Sequence, residues 1–506
     1  MSGPEAIAGL VLAVPGLIDL AIKYGQFLQG KVKLFMGAES DSRLQGFIVE
    51  LTAGQINDIL LFFKDIVKKL PLDFLNQLSH ATKILQITLQ TAIEAFPEDS
   101  YAEKKGVASK AKYAMYDAKK IKEAVKDLEE WKRRFTERAM VFKNFIYDHD
   151  RESEASKDSA KQAPVEMIEL HGDGAQKVKE RLSEILRNQH PKSGPLILPP
   201  VKINDYTVLA DASLWYSEDN RRLVEFHNYA GKSREDVETM REAVRHIANC
   251  LRAVDSSTMK ILECEGFSDN IAQEMFALHF FMPANQNYPR SLRSLLAGEE
   301  NKKGKKHSLT DRVRLAQSIA SAVLYVHSSG FVHKNIRPEN IVVFESIEKG
   351  STRFPYSIGH PYLVGYDGVR QEKDASIYAD VTGWQRRIYV PKERLDPVPA
   401  RAKFSWKHDI YSLGVILLEI AIWDNFANPD GRVGKTLKAA PDMFVPLMEE
   451  LKNVPRLLGD KYRDATMSCL KMLEGETGEA VRDEDGVLLG TNYICQVLDK
   501  LEAIVL

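Results

Sequence analysis

Net charge is almost absent from this 506-residue chain: 69 Lys and Arg stand against 71 Asp and Glu, a formal −2. That balance excludes a globally electrostatic nucleic-acid binder, so no nucleic-acid partner is expected, although a local basic face stays open. Cysteine is scarce, with Cys250, Cys264, Cys469 and Cys495 alone. There is no C-x-x-C and no Cys/His cluster, which excludes a disulfide framework and offers no metal site. Reduced, mostly buried thiols in a cytosolic protein are the expectation. A membrane-length run is missing at the N-terminus. Ala6–Ile18 holds thirteen uncharged residues, where a spanning helix needs about 20. The only charge before it is Glu5, whereas a secretory signal needs a basic start.

What is present is ordinary globular material, 44% hydrophobic and 28% charged. At about 100–200 residues per domain, two to four domains are expected. Residues 1–148 read as a helical bundle. After the apolar first helix, Leu44, Phe47, Ile48, Leu51, Ile59, Leu60, Phe63, Ile66, Val67 and Leu70 recur at three- and four-residue spacing until Pro71, as on a helix face. A third helix runs from about Asp73 to Phe96, before Pro97. A fourth starts near Lys105 and carries a near-heptad stripe from Val107 to Phe142. Four helices with short connections predict an antiparallel four-helix bundle.

Residues 149–198 read as a linker. Asp150–Pro164 lacks large apolar residues and is expected to be solvated. A short amphipathic, brace-like helix is predicted over about Val165–Asn188. From residue 199 onward the periodicity changes. Alternating runs at Asp205–Ala210, Arg221–Tyr229, Met259–Glu265 and Glu274–Phe281 read as strands. One helix, about Ser233–Leu251, interrupts them, and helices dominate after Pro289. Strands first and helices later predict a bilobal α+β domain over residues 199–506.

Four segments in that domain resemble protein kinases. Val326–Phe344 (VHSSGFVHKNIRPENIVVF) is similar to the catalytic loop HRDLKPEN and the apolar strand that follows it. Asp409–Trp423 (DIYSLGVILLEIAIW) resembles the D-x-W-S-x-G helix. Tyr389–Leu395 (YVPKERL) resembles the A-P-E end of an activation segment, and Lys461–Leu470 supplies an arginine. The resemblance implies a kinase-like fold in which Glu393, Asp409 and Arg463 are structural, with Glu393 paired to Arg463.

Phosphoryl transfer needs a carboxylate base, metal ligands and phosphate-holding groups. The resemblance places Asn335 at the base, and an amide cannot serve as that carboxylate. It places Gly365 at the metal-binding aspartate, with Asp367 two residues later as the alternative. It places His227 at the phosphate-binding lysine, with Glu242 as the helix partner. Asn340 remains as a second metal ligand. Between Pro195 and Ala230 there is no glycine, so the glycine-rich phosphate loop is missing. The expectation is a pseudokinase with no cofactor, no metal and no enzymatic activity.

The two halves together, a helical bundle and then a pseudokinase, resemble the mixed-lineage-kinase-domain-like family of necroptosis executors. The segment MSGPEAIAGLVLAVPGLIDLAIKYGQFLQG looks like fungal HeLo and HeLo-like domains, which disrupt membranes in programmed cell death. The resemblance implies a cytoplasmic cell-death effector that moves to the plasma membrane, contacts anionic lipids and homo-oligomerises on activation. Leu10, Leu12 and Leu17 are the candidate membrane-active residues of helix one. Lys104, Lys105, Lys119 and Lys120 belong to a basic face, which reads equally as the solvated side of a bundle helix. Ser376, Tyr378 and Thr382, with arginines nearby, are candidate phosphorylation sites for an unknown upstream kinase or receptor complex. The second expectation is a scaffold that oligomerises through the bundle and binds a true kinase or immune receptor.

Overall fold

A computed structural model describes residues 4–35, 40–67, 70, 72–96, 107–141, 146–148, 168–170, 195–210, 213–219, 221–252, 254, 256–298, 307–328, 331–348, 351–352, 354–366, 370–371, 383–395, 404–472 and 493–504. They divide into two compact units, one within residues 1–188 and the other within 189–506.

The first unit contains α1 (Pro4–Phe35), α2 (Ser40–Ile66), α3 (Leu72–Ala95) and α4 (Val107–Val141). Both α1 and α4 pack against α2 and α3. The three- and four-residue spacing turns one face of each helix inward, burying Val14, Ile18, Ile56, Leu60, Phe63, Leu78, Leu85, Leu89, Leu128 and Phe135. Phe63 is the aromatic hub. Its ring lies 5.3 Å from Phe62, 5.7 Å from Phe74 and 6.4 Å from Phe135, so three helices meet there. Polar contacts then set the register. Asp19 on α1 pairs with Lys64 on α2 at 2.5 Å. Gln86 on α3 donates to the Leu17 carbonyl at 2.8 Å, and Trp131 on α4 donates to Thr88 at 3.0 Å. Among the described residues, Gly46–Ile66 is long and apolar enough to cross a membrane, and 56% of its apolar window is buried in the bundle.

The linker departs from the expected helix at its start. Ile168–Leu170 forms a strand, β2, parallel to β1 (Ile146–Asp148). The rest of the expected brace helix lies outside the described residues.

The second unit opens with a five-stranded antiparallel sheet in the order β3–β4–β5–β7–β6: β3 (Thr207–Ala210), β4 (Leu214–Ser217), β5 (Arg222–Asn228), β6 (Cys264–Asn270) and β7 (Met275–Phe281). Here β6 begins five residues later than the run Met259–Glu265 implied. Helix α5 (Arg234–Leu251) starts at the Ser233 N-cap and buries Val244, Ile247, Ala248 and Leu251. Three strands form a second sheet: β8 (Gln286–Ser291), β10 (Ile341–Ser346) and β11 (His360–Leu363), while β9 (Phe331–Val332) pairs with β12 (Arg370–Gln371). The helices are α6 (Leu292–Ala297), α7 (Leu309–Ser328), α8 (Trp406–Ile422), α9 (Arg432–Ala439), α10 (Phe444–Leu451) and α11 (Pro455–Leu470). Except for Lys407, every residue of α8 is buried, so this helix is the spine of the unit. Cys250, Cys264 and Cys469 are free thiols, the last two buried.

One polar chain crosses the sheet face opposite α5. The Ser268 hydroxyl lies 2.9 Å from His279 Nε2 and donates to Asn270 Oδ1 at 3.1 Å. Burial pushes the His279 imidazole down to about 4, against the pull of the nearby Glu265 carboxylate. The ring is therefore neutral in the folded unit, while in the unfolded chain it protonates near 6.5. Its contribution to stability is complete above pH 6.5 and falls away as pH drops towards 4.

Two outcomes follow from these contacts. Phe63→Ala should destabilise the bundle by about 3–5 kcal/mol, read by urea unfolding of the full chain. His279→Gln should flatten the loss of stability of the second unit between pH 6.5 and 4. An unchanged wild-type minus variant difference across that interval would contradict it.

Candidate functional site

The site is assembled around a buried carboxylate. Asp409 sits in the first turn of α8 with no solvent exposure. Its Oδ2 accepts the His333 N–H at 2.6 Å, and its Oδ1 accepts the Lys334 N–H at 2.8 Å. His327 of α7 approaches the same Oδ2 at 3.1 Å. The turn needs this anchor because Lys334 has φ +65, a left-handed conformation that non-glycine residues adopt at a cost. Burial pushes the adjacent His333 imidazole down.

The next residues bond to each other. Asn335 Oδ1 accepts from Arg337 Nε at 2.9 Å, and its carbonyl accepts from Asn340 Nδ2 at 2.7 Å. The Asn340 carbonyl in turn accepts the Val364 N–H at 2.9 Å. Gly365, one residue on, has φ +91, and a Cβ there would lie 2.3 Å from Asn340 Cγ. A side chain at the position expected to carry a metal-binding carboxylate would thus be strained and would displace Asn340. Asn340 offers an amide already engaged with the backbone. Among the described residues there is no group of three or more His, Cys, Asp or Glu placed to hold a metal ion. Asn335 and Gly365 bring no carboxylate to a magnesium ion.

From the sheet, Glu225 enters rather than His227. Strand β5 alternates, so Leu223, Glu225 and His227 share a face opposite the cluster of Val224, Phe226 and Ala277. Glu225 Oε2 accepts the Gly365 N–H at 2.9 Å. His227 Nε2 lies 3.1 Å from Glu225 Oε1, within ion-pair range but not aligned as a hydrogen bond. Both side chains are buried. His227, expected at the phosphate-binding position, lies on the same face beside Glu225, which is the residue that contacts Gly365. The assignment of Glu242 is corrected. It is exposed on α5 and pairs with Arg245 at 2.9 Å, while the inward face of that helix is aliphatic.

A second network underlies the turn. Arg293 of α6 donates to Glu339 at 2.9 Å, to Glu419 at 2.9 Å and to Asn425 at 2.7 Å, and it also donates to the Tyr389 hydroxyl. Tyr389 donates to Glu419 at 2.8 Å. Burial raises the Glu419 carboxyl while Arg293 pulls it down. No local pattern marked Arg293, which follows Arg290 in a serine- and leucine-rich stretch, or Glu419, a lone charge in an apolar run. The implied Glu393–Arg463 pair is not formed. Glu393 takes the His408 Nε2 at 2.5 Å, and Arg463 pairs with Asp460 at 2.9 Å and Asp464 at 2.7 Å on its own helix.

Other expected residues are placed as follows. Leu17 is half-buried in α1, and Lys119 and Lys120 are exposed on α4. Leu10 and Leu12 belong to α1, though nothing further describes their side chains. Lys104, Lys105, Asp367, Ser376, Tyr378 and Thr382 lie outside the described residues.

Residues 261–486 match a family described as a domain of unknown function (DUF7580). The chain is also similar to proteins named as kinases. It is 25% identical over 183 residues to a putative ribosomal protein S6 kinase alpha-2 of Caenorhabditis elegans, covering 35% of this chain and 22% of that protein. It is 30% identical over 139 residues to a serine/threonine-protein kinase-like protein of Arabidopsis thaliana, covering 28% and 35%. It is 28% identical over 122 residues to human tyrosine-protein kinase FRK, covering 24% and 21%. The chain therefore spans between about a fifth and a third of these relatives' lengths.

Installing a carboxylate should not create a metal site. Gly365→Asp should lower the stability of the second unit by about 1–3 kcal/mol through backbone strain and the clash with Asn340. It should leave the melting temperature insensitive to ATP with Mg²⁺. A saturable rise on adding nucleotide would show the loop can reopen.

Proposed function

We propose that the second unit is a kinase-like domain without phosphotransfer, and that it restrains a membrane-active helical bundle in the manner of a cell-death effector. Three substitutions support the first half. Asn335 replaces the base, Gly365 has no room for a metal ligand, and Glu225 presents a negative charge to the same loop. The likeness of part of the chain to proteins named as kinases supports the fold.

The observation that carries the second half is on α1. Val14, Ile18, Ala21, Ile22, Leu28 and Val32 face the core, yet Leu20 and Phe27 face solvent at 40% and 61% exposure. Leu20 and Phe27 add apolar side chains to an exposed face that also carries Lys23, Gln26 and Lys33, a mixed face suited to an interface between water and lipid. In this reading the bundle is the resting state, with the α1 core face covered. On activation α1 leaves the bundle, separating Asp19 from Lys64, and copies assemble on the anionic cytoplasmic face of the plasma membrane. Exposed Lys119 and Lys120 would add about 1 kcal/mol each near such a surface. Phosphorylation at Ser376, Tyr378 or Thr382 is the trigger in this reading.

The test is dye release from liposomes containing phosphatidylserine, using residues 1–148 and the full chain. The bundle alone should release dye and the full chain should not. Leu20→Glu and Phe27→Glu change exposed positions, so the bundle should keep its circular dichroism while leakage falls at least about tenfold, each charge being costly in lipid. Folded variants that leak like wild type would remove α1 as the executor. A wild-type bundle that never leaks would leave the scaffold reading in its place.

A further inference from the structure

The start of α8 carries a histidine whose two ring nitrogens have opposite roles. Ser405 is the N-cap residue, and its backbone N–H donates to His408 Nδ1 at 2.7 Å. A backbone N–H can only donate, so Nδ1 is the bare nitrogen and Nε2 carries the proton. That second N–H donates to Glu393 Oε1 at 2.5 Å, which ties α8 to the turn Lys392–Arg394. Three residues after a serine cap, Glu or Gln is the common partner for the cap N–H. Here the same task falls to an imidazole, the side chain that changes charge between about pH 5 and 8.

The surroundings determine what a second proton does. His408 is buried at 2% exposure, with the Phe404 ring 4.9 Å away. Arg394 and Lys334 stand over that ring at 5.4 and 5.9 Å. Lys407 and Asp409 flank His408 along the chain, and His327 lies beyond, 3.1 Å from Asp409. The bond from His408 holds the Glu393 carboxyl below its usual range, against the opposing effect of burial. Glu393 therefore stays ionised through the interval in which a histidine titrates. A proton added to Nδ1 would point at the Ser405 N–H, donor against donor. The Ser405 hydroxyl, 3.2 Å from the same nitrogen, can accept that proton instead. The imidazolium then makes a charge-assisted bond to Glu393, while the cap N–H has lost its acceptor.

We propose that His408 is a proton-operated switch: neutral, it caps α8; protonated, it releases the Ser405 N–H and grips Glu393 more tightly. Acid then loosens the first turn of α8 without freeing the turn Lys392–Arg394. A second tie to that segment survives in both states, because the Ser412 hydroxyl lies 2.7 Å from the Tyr389 carbonyl and 2.9 Å from the His408 carbonyl. Asp409 is the next residue, so the turn that loosens is the one holding the backbone of His333 and Lys334. The switch lies within the second unit and does not depend on whether the bundle acts on membranes.

The test is hydrogen exchange of the full chain, read as the protection factor of the Ser405 amide between pH 7.5 and 5.5. A histidine with the ordinary pKa of about 6.5 is about nine-tenths protonated at pH 5.5. Only the neutral remainder offers the acceptor, so Ser405 protection should fall about tenfold while amides in the middle of α8 keep theirs. His408→Gln supplies an acceptor that does not titrate and should hold Ser405 protection level across the interval. His327 and His333 remain in that chain, so a fall that persists there would overturn the proposal. Glu393→Gln, at a position whose side chain is 42% exposed, removes the charge that favours the imidazolium and should move the fall to lower pH. Wild-type protection that is constant from pH 7.5 to 5.5 would overturn the switch. So would a fall in the Glu393→Gln chain at the same or a higher pH than in wild type.

Discussion

The second unit depends on one carboxylate holding one turn. Asp409 is buried at the start of α8 and accepts two consecutive backbone N–H groups, from His333 and Lys334. A buried charge is tolerated only where its lone pairs are filled, and here the donors come from a loop about 75 residues earlier in the chain. The bond pair fixes a backbone that Lys334 would otherwise avoid. It thereby fixes where Asn335, Arg337 and Asn340 stand. Those residues set the position of Val364 and Gly365, and Gly365 is the point reached from the sheet by Glu225. A single chain of hydrogen bonds thus runs from the helical core to β5, with the Arg293 network bracing it at Glu339 and Glu419.

The parts of this arrangement that local periodicity controls were legible before any coordinates. The bundle helices follow from spacing: the observed limits of α2, α3 and α4 fall within a few residues of those expected, whereas α1 continues to Phe35, well past the apolar run that ended at Ile18. Asp409 and the turn at His333 were marked by their neighbours. What periodicity cannot resolve is a shift that preserves it. Glu225 and His227 differ by two positions on a strand, so both face the same way, and only the 2.9 Å contact with Gly365 separates them. The start of β6 was misread for a related reason. The strand contains Ser268, Asp269 and Asn270, polar residues whose burial is made possible by partners elsewhere in the fold, His279 and Tyr229 among them. The Glu393–Arg463 pair was implied by the resemblance to kinases, but proximity decided otherwise: His408 offers a nitrogen to Glu393 from the first turn of α8, and two aspartates on α11 occupy Arg463.

Charge at the site is distributed in a consistent direction. The acid Glu225 projects to the loop, the base position holds an amide, and the guanidinium of Arg337 is turned onto that amide. Glu225 Oε2, Asn335 Oδ1 and Asn340 Nδ2 are each spent on a bond within the site, which ties the loop to the sheet and to itself. The same economy appears at Asn270, whose oxygen serves both Ser268 and the backbone of Val201.

The fit of Gly365 against Asn340 has a consequence for what substitutions this lineage can accept. With the backbone at φ +91 and a Cβ 2.3 Å from Asn340 Cγ, any side chain at 365 must push Asn340 aside. Yet shrinking Asn340 first deletes its bond to the Asn335 carbonyl. Each single step therefore passes through a weakened intermediate, whichever order is taken. The two positions are therefore coupled: a change at either is felt at the other.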